Sequence, residues 1–297
     1  RPTAQSRRTG RLHNLIKMSG RKLILLKLLL AMQFNGYSFI SNFYIEIMDN
    51  EVVIGEYSQN SFRKKEVEKF CLEKTVTTDI LKALNLGYEE ENVLFYFHSM
   101  WGSVAQYHKN SLKTLNRDIG NIDKIISVIW HANKLSYKTT WNNSISLGKA
   151  ISPIMDSIVL STKNKYFVLC HSMGSRVFEG VVSGFAEKNR RFEIVILAGA
   201  DLDVDVFNKG FSMLPRYCHQ TVVYVNKKDR LLKTSKFLHK KERLGLDAAQ
   251  YIDKLSKIEN LEIVNVAHSS SRKLISFSNH IYFKNNKAVV QDINHLI

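Results

Sequence analysis

Short apolar runs of strand length alternate along this chain with segments whose apolar residues recur at helical spacing, and this alternation constrains the fold most. The strand-like runs cover residues 43–47, 52–54, 93–97, 125–130, 166–170, 194–198, 221–225 and 261–266. Several are continuous stretches of β-branched and aromatic residues, which is typical of strands buried on both faces. The alternation predicts an α/β fold with a mostly parallel central sheet and helices on both faces.

Two segments show the helical period most clearly. Apolar residues recur at steps of three or four from Leu147 to Ile158, and Met173, Val177 and Val181 follow one another at steps of four. In a parallel sheet covered on both faces, ligands bind beyond the carboxyl ends of the strands. The residues that directly follow each apolar run are therefore the candidates for a functional site.

The composition and the motifs that are missing argue against a nucleic-acid partner, a metal site and a cofactor. Lys and Arg number 43 against 27 Asp and Glu, a net charge of +16, but outside residues 1–27 the basic residues are scattered. Scattered lysines are typical of solvated faces, and no nucleic-acid-binding motif is present, so no nucleic-acid partner is predicted. The three cysteines are widely spaced and predict neither disulfides nor a metal site. No phosphate-binding, dinucleotide-binding or zinc-protease motif occurs, so we expect no cofactor.

The N-terminal segment differs from the rest of the chain. Residues 1–36 are basic and partly apolar, with Met18 followed by an apolar run at 23–32 that Lys27 interrupts. A bilayer span needs roughly 20 apolar residues, so this run is too short to cross one. We expect 1–36 to be disordered or signal-like and 37–297 to form a single domain.

These features favour a cytoplasmic protein, because Lys27 breaks the apolar run and no small-residue cleavage site follows it. The alternative is export or membrane anchoring through residues 18–36. That segment is also the only route of membrane association that the sequence predicts.

The run at 166–170 leads directly into Cys170-His-Ser-Met-Gly174 and then into a helical pattern. This is the G-x-S-x-G nucleophile elbow with Cys170 in place of the first glycine. Such a turn holds its serine in a strained conformation, so that Oγ projects above the sheet. The pattern predicts Ser172 as a nucleophile and the Met173 amide as one donor of an oxyanion hole.

The run at 93–97 is followed by His98-Ser99-Met100. In folds with a nucleophile elbow, the loop after this earlier strand supplies the second oxyanion donor. The donor is therefore the amide of Ser99 or of Met100, and the sequence leaves the choice open.

A triad acid and base are expected after the nucleophile in the chain, in that order. Asp229 follows the run at 221–225 and is the favoured acid; the rivals after the run at 194–198 are Asp201, Asp203 and Asp205. For the base, the late histidines are His268, His280 and His295, with His239 on a probable helix. His268 ends the last apolar run and His280 lies beyond it. Position alone does not separate these two histidines.

Several stretches resemble a known family: residues 170–174 (CHSMG), 197–207 (LAGADLDVDVF), 224–229 (YVNKKD) and 280–283 (HIYF). From about residue 92 onward the chain resembles a largely uncharacterised, mainly bacterial family of α/β-hydrolases with an A-H-S-M-G elbow. The resemblance implies the α/β-hydrolase fold, with Ser172 as nucleophile, Asp229 as acid and His280 as base. The family usually has glycine where this chain has Ser99, a side chain that can crowd the oxyanion loop.

These observations together predict a serine hydrolase that cleaves a small-molecule ester or thioester through an acyl-enzyme intermediate. The alternative is a catalytically weak or inactive protein of the same fold that binds a ligand or a partner. Loss of a triad residue would mark that alternative, and the sequence shows no such loss.

Overall fold

In a computed structural model of the chain, the predicted apolar runs become strands of one sheet. The described residues are 40–48, 51–58, 61–71, 77–103, 105–132, 136–185, 192–210, 217–267 and 279–297. They lie within one compact unit, Ile40–Ile297. The signal-like segment at 18–36 and His268 lie outside the described residues.

Among the described residues, the sheet has nine strands. They are β1 (Ser41–Met48), β2 (Glu51–Tyr57), β3 (Lys64–Cys71), β4 (Asn92–Phe97), β5 (Lys124–Trp130), β6 (Lys165–His171), β7 (Phe192–Ala198), β8 (Cys218–Val225) and β9 (Leu261–Asn265). All except β3 coincide with a predicted run. Strand β3 lies at the edge of the sheet and is mostly exposed and charged, so it carries no apolar run.

The strand order is β3-β2-β1-β5-β4-β6-β7-β8-β9. Strands β1, β2 and β3 pair antiparallel, and every other pairing in the sheet is parallel. The predicted α/β fold with a mostly parallel sheet is confirmed. The order reverses beside β4, because β5 lies on one side of it and β6 on the other. The carboxyl ends of β4 and β6 therefore border the crevice in which such sheets bind ligands.

The described helices are α1 (Thr77–Ala83), α2 (Ala105–Asp118), α3 (Tyr137–Ser161), α4 (Gly174–Ser183), α5 (Val204–Gly210), α6 (Arg230–His239), α7 (Leu244–Asp247), α8 (Ile252–Leu255), α9 (Tyr282–Asn285) and α10 (Lys287–Leu296). Helices α1, α3 and α4 pack on one face of the sheet, where their apolar residues join alternate strand residues in one core cluster. Helices α2 and α10 pack on the other face in a second cluster. The sheet is therefore covered on both sides, as the continuous apolar strands predict.

Short 3-10 turns at Met100–Ser103 and Ala248–Tyr251 complete the described secondary structure. The first of these follows β4 directly and so lies beside the crevice. Across the described ranges, no helix has the length and apolar character needed to span a bilayer.

Candidate active site

Ser172 occupies the turn between β6 and α4. Its backbone has a φ of 56°, in the left-handed region that residues other than glycine rarely adopt. The Ser172 amide donates to the carbonyl of Ala198 at 3.1 Å, and its own carbonyl accepts from the amide of Asp201 at 3.2 Å. These bonds to β7 and the residues after it stabilise a turn that would otherwise be unfavourable by about 1–3 kcal/mol.

Gly174 allows α4 to begin close to the end of β4. A Cβ atom at this position would overlap the backbone oxygen of Phe97 and lie 2.6 Å from that of His98. The register of the sheet causes this proximity, because Phe97 pairs with Cys170 across the β4–β6 interface. A side chain at position 174 would therefore push the serine turn away from the loop that follows β4.

Asp229 and His280 form a buried hydrogen-bonded pair. His280 Nδ1 lies 2.6 Å from Asp229 Oδ2, and the two residues are 5% and 0% exposed. The other carboxylate oxygen of Asp229 accepts from the amide of Leu232 at 3.0 Å, which caps the first turn of α6. The carboxylate is thus held from two directions, with one oxygen on the Leu232 amide and the other on the imidazole.

The environment of His280 favours its protonated form. Burial by itself disfavours the imidazolium, but the charge of Asp229 and its hydrogen bond outweigh burial and raise the pKa of His280 above its ordinary value of 6.5. Asp201 adds a further attraction in the same direction. An imidazole of this kind is a stronger base than a free histidine.

Two side chains that the sequence did not single out connect the region of Asp229 to the segment that carries His280. Asn226 Nδ2 donates to the carbonyl of Asn279 at 2.9 Å, and so ties the turn before Asp229 to the residue before His280. Tyr282 Oη donates to the carbonyl of Tyr224 at 2.7 Å and accepts from the amide of Gly199 at 2.6 Å. Asn226 and Tyr282 fall within two of the stretches that carry the family resemblance, which is the only signal for them in the sequence.

His171 also contacts His280, although it was not predicted to do so. Its Nε2 lies 3.0 Å from the carbonyl oxygen of His280, and the two rings are 4.8 Å apart. A carbonyl only accepts, so Nε2 of His171 is the donor. Burial lowers the pKa of His171 well below its ordinary value, and it remains neutral. His171 therefore orients the backbone at His280 without adding a charge.

Of the predicted oxyanion donors, Met173 and Met100 line a cavity together with Ser172, and Ser99 lies in the loop that follows β4. Met173, Ser99 and Met100 are 1%, 5% and 7% exposed. Within the part of the chain that the structure describes, the backbone amides of Met173 and Ser99 have no hydrogen-bond acceptor. Buried amides are almost always paired. The amides of Met173 and Ser99 are exceptions, and both are therefore free to donate to an oxygen atom of a substrate.

His98 holds the loop that carries Ser99. Its ring is fully buried and stacks on Trp130 at 5.3 Å. Nε2 accepts from the Trp130 amide at 3.2 Å, and Nδ1 donates to the carbonyl of Ser99 at 2.6 Å. Burial lowers the pKa of His98 to about 4, so the ring is neutral. His98 is thus a hydrogen-bonded residue at the end of β4, and it supports the loop rather than facing the cavity.

A cavity of about 320 Å³ lies over the serine turn. Its lining is mostly apolar and consists of Met100, Trp101, Tyr137, Ser172, Met173, Asp201, Leu231, Leu232, Thr234, Ser235, Leu238 and His280. Ser172 and His280 therefore face the same space, at the crevice where the strand order reverses. A mostly apolar pocket with a few convergent polar groups is typical of a small-molecule site.

Asp201 also reaches this cavity, but its carboxylate has different partners from that of Asp229. Tyr137 Oη donates to one oxygen at 2.5 Å and Ser235 Oγ donates to the other at 2.6 Å. The fully buried guanidinium of Arg243 lies 3.6 Å from Asp201 and also pairs with Asp203. These carboxylates compensate the charge of a buried arginine that the sequence did not single out.

The third rival acid, Asp205, lies on α5 and pairs with Lys254 at 2.5 Å. The structure thus brings Asp229, and none of its rivals, into hydrogen-bond contact with His280. Across the described ranges, no group of three or more His, Cys, Asp and Glu residues is placed to hold a metal ion.

Comparisons with known proteins agree with this geometry at the level of the family. Residues 90–297 match the family described as "Alpha/beta hydrolase of unknown function (DUF900)". The matched region begins just before β4 and contains the elbow, Asp229 and His280. A comparison with curated proteins gave no significant match. Since the family match covers well over half of the chain, the protein belongs to this alpha/beta-hydrolase family of unknown function.

Proposed function

We propose that the protein is a serine hydrolase that cleaves a small-molecule ester or thioester. The observation that carries the proposal is the buried 2.6 Å contact between Asp229 and His280, beside a cavity that His280 and Ser172 both line. Ser172 is the proposed nucleophile, His280 the base and Asp229 the acid. Met173 and either Ser99 or Met100 are the proposed oxyanion donors.

The reaction begins when Ser172 Oγ attacks the carbonyl carbon of the substrate and its proton passes to Nε2 of His280. Asp229 accepts a hydrogen bond from Nδ1–H throughout, which keeps Nε2 free to take the proton and stabilises the imidazolium. The negative charge on the substrate oxygen is stabilised by the Met173 amide and the second donor. Each such donor contributes about 2.7–4 kcal/mol to transition-state stabilisation.

Collapse of the tetrahedral intermediate breaks the bond to the alcohol or thiol. His280 returns its proton to this leaving group, and the acyl group remains on Ser172. Water then attacks the acyl-enzyme with His280 again acting as base, which releases the acid and restores the serine. Every proton in this cycle is carried by His280, and water is the second substrate.

Two further features support this mechanism. The left-handed backbone of Ser172 is a strained conformation, and strain of this kind is found mainly at functional sites. The raised pKa of His280 suits a general base, because bases are most effective when their pKa lies near the working pH.

A fluorophosphonate probe tests the proposal, since it labels an activated serine whatever the substrate. We expect the wild-type protein to be labelled and the Ser172→Ala variant not to be. Ser175→Ala is the matched control, because Ser175 lies one turn away and is fully buried in α4. Equal labelling of wild type and Ser172→Ala would remove Ser172 as the nucleophile. A folded wild-type protein that takes up no probe would instead favour the inactive binding protein.

A further inference from the structure

Helix α6 lines one side of the cavity over Ser172, and two adjacent apolar side chains near its end are exposed. Phe237 is 81% exposed and the neighbouring Leu238 is 57% exposed. Single exposed apolar residues are common, but adjacent large ones on a short helix form a patch that normally has a partner.

Lysines surround this patch. Phe237 and Leu238 line a groove of about 930 Å³ whose other lining residues are Lys227, Lys233, Lys236, Lys240, Lys241, Glu242, Leu246, Asp247 and Gln250. Lys236 pairs with both acidic residues of the groove, Glu242 and Asp247. Lys236 therefore already balances part of the negative charge of these two carboxylates.

The four remaining lysines of the groove are exposed and form no ion pair with any described residue: Lys227, Lys233, Lys240 and Lys241. The groove therefore presents an excess of positive charge around an apolar centre. We call Phe237, Leu238 and these four lysines the α6 face.

The α6 face is continuous with the mouth of the candidate active site. Leu238 lines both the groove and the cavity that contains Ser172. Trp101 also lines that cavity and is 47% exposed. Exposed apolar side chains thus extend from the groove to the cavity.

We propose that the α6 face docks on the surface of a bilayer that contains anionic phospholipids. Apolar side chains with a surrounding set of lysines are the combination that binds such surfaces: the apolar residues enter the headgroup region and the lysines attract the phosphates. A partner that offers acidic groups alone would account for the lysines but leave Phe237 exposed to water. The docking itself does not depend on catalysis; where the proposed hydrolase activity holds, it brings the mouth of the cavity to the membrane surface.

The electrostatic part is tested by sedimentation with vesicles of phosphatidylcholine that contain about 30% phosphatidylglycerol. The full chain is used, and its basic N-terminal residues also attract such vesicles, so the comparison is between variants. Lys240→Gln/Lys241→Gln removes two charges from the α6 face. Lys163→Gln/Lys165→Gln removes two from the amino ends of the parallel strands, where β6 begins and Lys165 pairs with Glu90. Each lysine near an anionic surface strengthens binding about fivefold, so we expect the first variant to bind about 20- to 30-fold more weakly and the second to bind like wild type.

The apolar part is tested with Phe237→Trp and vesicles of the same charge that carry brominated lipid, which quenches inserted tryptophan. Tyr88→Trp is the control, because Tyr88 is 75% exposed and precedes β4, at the amino ends of the parallel strands. We expect quenching beyond that of wild type for Phe237→Trp alone. This measurement reports the position of residue 237 even if the N-terminal residues contribute to overall affinity.

Equal vesicle binding by the two lysine variants, or equal quenching of the two tryptophan variants, would overturn the proposal. So would an effect of Lys240→Gln/Lys241→Gln on binding to a single-stranded oligonucleotide with none on vesicles, which would assign the face to nucleic acid. Esterase activity is not a readout in either experiment. Failure of the docking proposal is therefore distinguishable from failure of the proposed hydrolase.

Discussion

Asp229→Asn separates the role of Asp229 in the candidate site from its role in the fold. In the structure, one carboxylate oxygen caps α6 through the Leu232 amide at 3.0 Å, and the other contacts His280 Nδ1 at 2.6 Å. An asparagine can keep its oxygen on Leu232, so its NH₂ group then faces Nδ1. Because NH₂ only donates, Nδ1 must accept, and the proton of the neutral imidazole moves to Nε2.

The protonated Nε2 cannot accept the proton of Ser172, so the expected loss is in turnover. Replacing a triad acid by its amide lowers kcat by about 10⁴, or about 5 kcal/mol of activation free energy at ~1.36 kcal/mol for each factor of ten. The expected loss of stability is smaller, about 1–2 kcal/mol, because the cap remains and a charge-assisted hydrogen bond becomes a neutral one. Asp229→Ala also loses the cap and should be less stable by a further ~0.5–2 kcal/mol.

The assay is hydrolysis of a short p-nitrophenyl ester, with urea unfolding on the same samples. Asp201→Asn is the comparison, since Asp201 lines the same cavity but accepts hydrogen bonds from Tyr137 and Ser235. We expect it to lose less turnover than Asp229→Asn. Activity of Asp229→Asn within about tenfold of wild type, or greater loss in Asp201→Asn, would refute this reasoning about tautomers.

Three further predictions follow from the same structure. Because the pKa of His280 is raised above 6.5 and catalysis needs its neutral form, kcat/KM should fall as the pH is lowered through a value above 6.5; a midpoint below 6.5 would contradict this assignment. The stabilising effect of the pair has the opposite pH dependence: it is fully present below 6.5 and is lost as the pH rises through the pKa of the folded state. Gly174→Ala should lower the free energy of unfolding in urea by about 1–3 kcal/mol and weaken fluorophosphonate labelling, because its Cβ would overlap backbone atoms at the end of β4. In the control Gly120→Ala, the nearest atom to the new Cβ is 3.7 Å away, and an equal effect there would show that the contact with β4 is not the cause. Binding to duplex DNA or RNA, measured by fluorescence anisotropy, should be weak and disappear by moderate salt, and sequence-preferring binding at physiological salt would contradict this expectation.

Much of the fold and of the candidate site could be predicted from the sequence, because both depend on short stretches of chain. Strands buried on two faces must be continuously apolar, so β4 through β8 appear directly as apolar runs. The elbow is also local, since strand, turn and helix adjoin within a few residues of Ser172. Asp229 could be proposed because it follows directly on a buried strand. Strand β3 escaped prediction because an exposed edge strand needs no apolar residues.

Local sequence could not decide which histidine is the proposed base. Position in the chain left His268 and His280 open, and only the family resemblance favoured His280. The structure places His280 against Asp229, 51 residues away in sequence. That contact depends on how the chain after β9 folds back over the end of the sheet. Asn226 and Tyr282 hold this segment in place by donating hydrogen bonds to backbone carbonyls. Every residue has a backbone carbonyl, so no pattern of side chains in the sequence reveals these contacts.

The α6 face and the buried Arg243 also depend on tertiary structure. In the sequence, the lysines near Phe237 look like the scattered lysines elsewhere in the chain; only the folded groove shows that they share one surface with exposed apolar residues. Arg243 looks like an ordinary surface charge until the strand order brings Asp201 and Asp203 against it. The burial of a side chain and the balance of its charge depend on residues that are close in space and can be distant in sequence. The sequence by itself determined the elements and the strand ends that carry chemistry, and the packing of distant segments decided which of those residues meet.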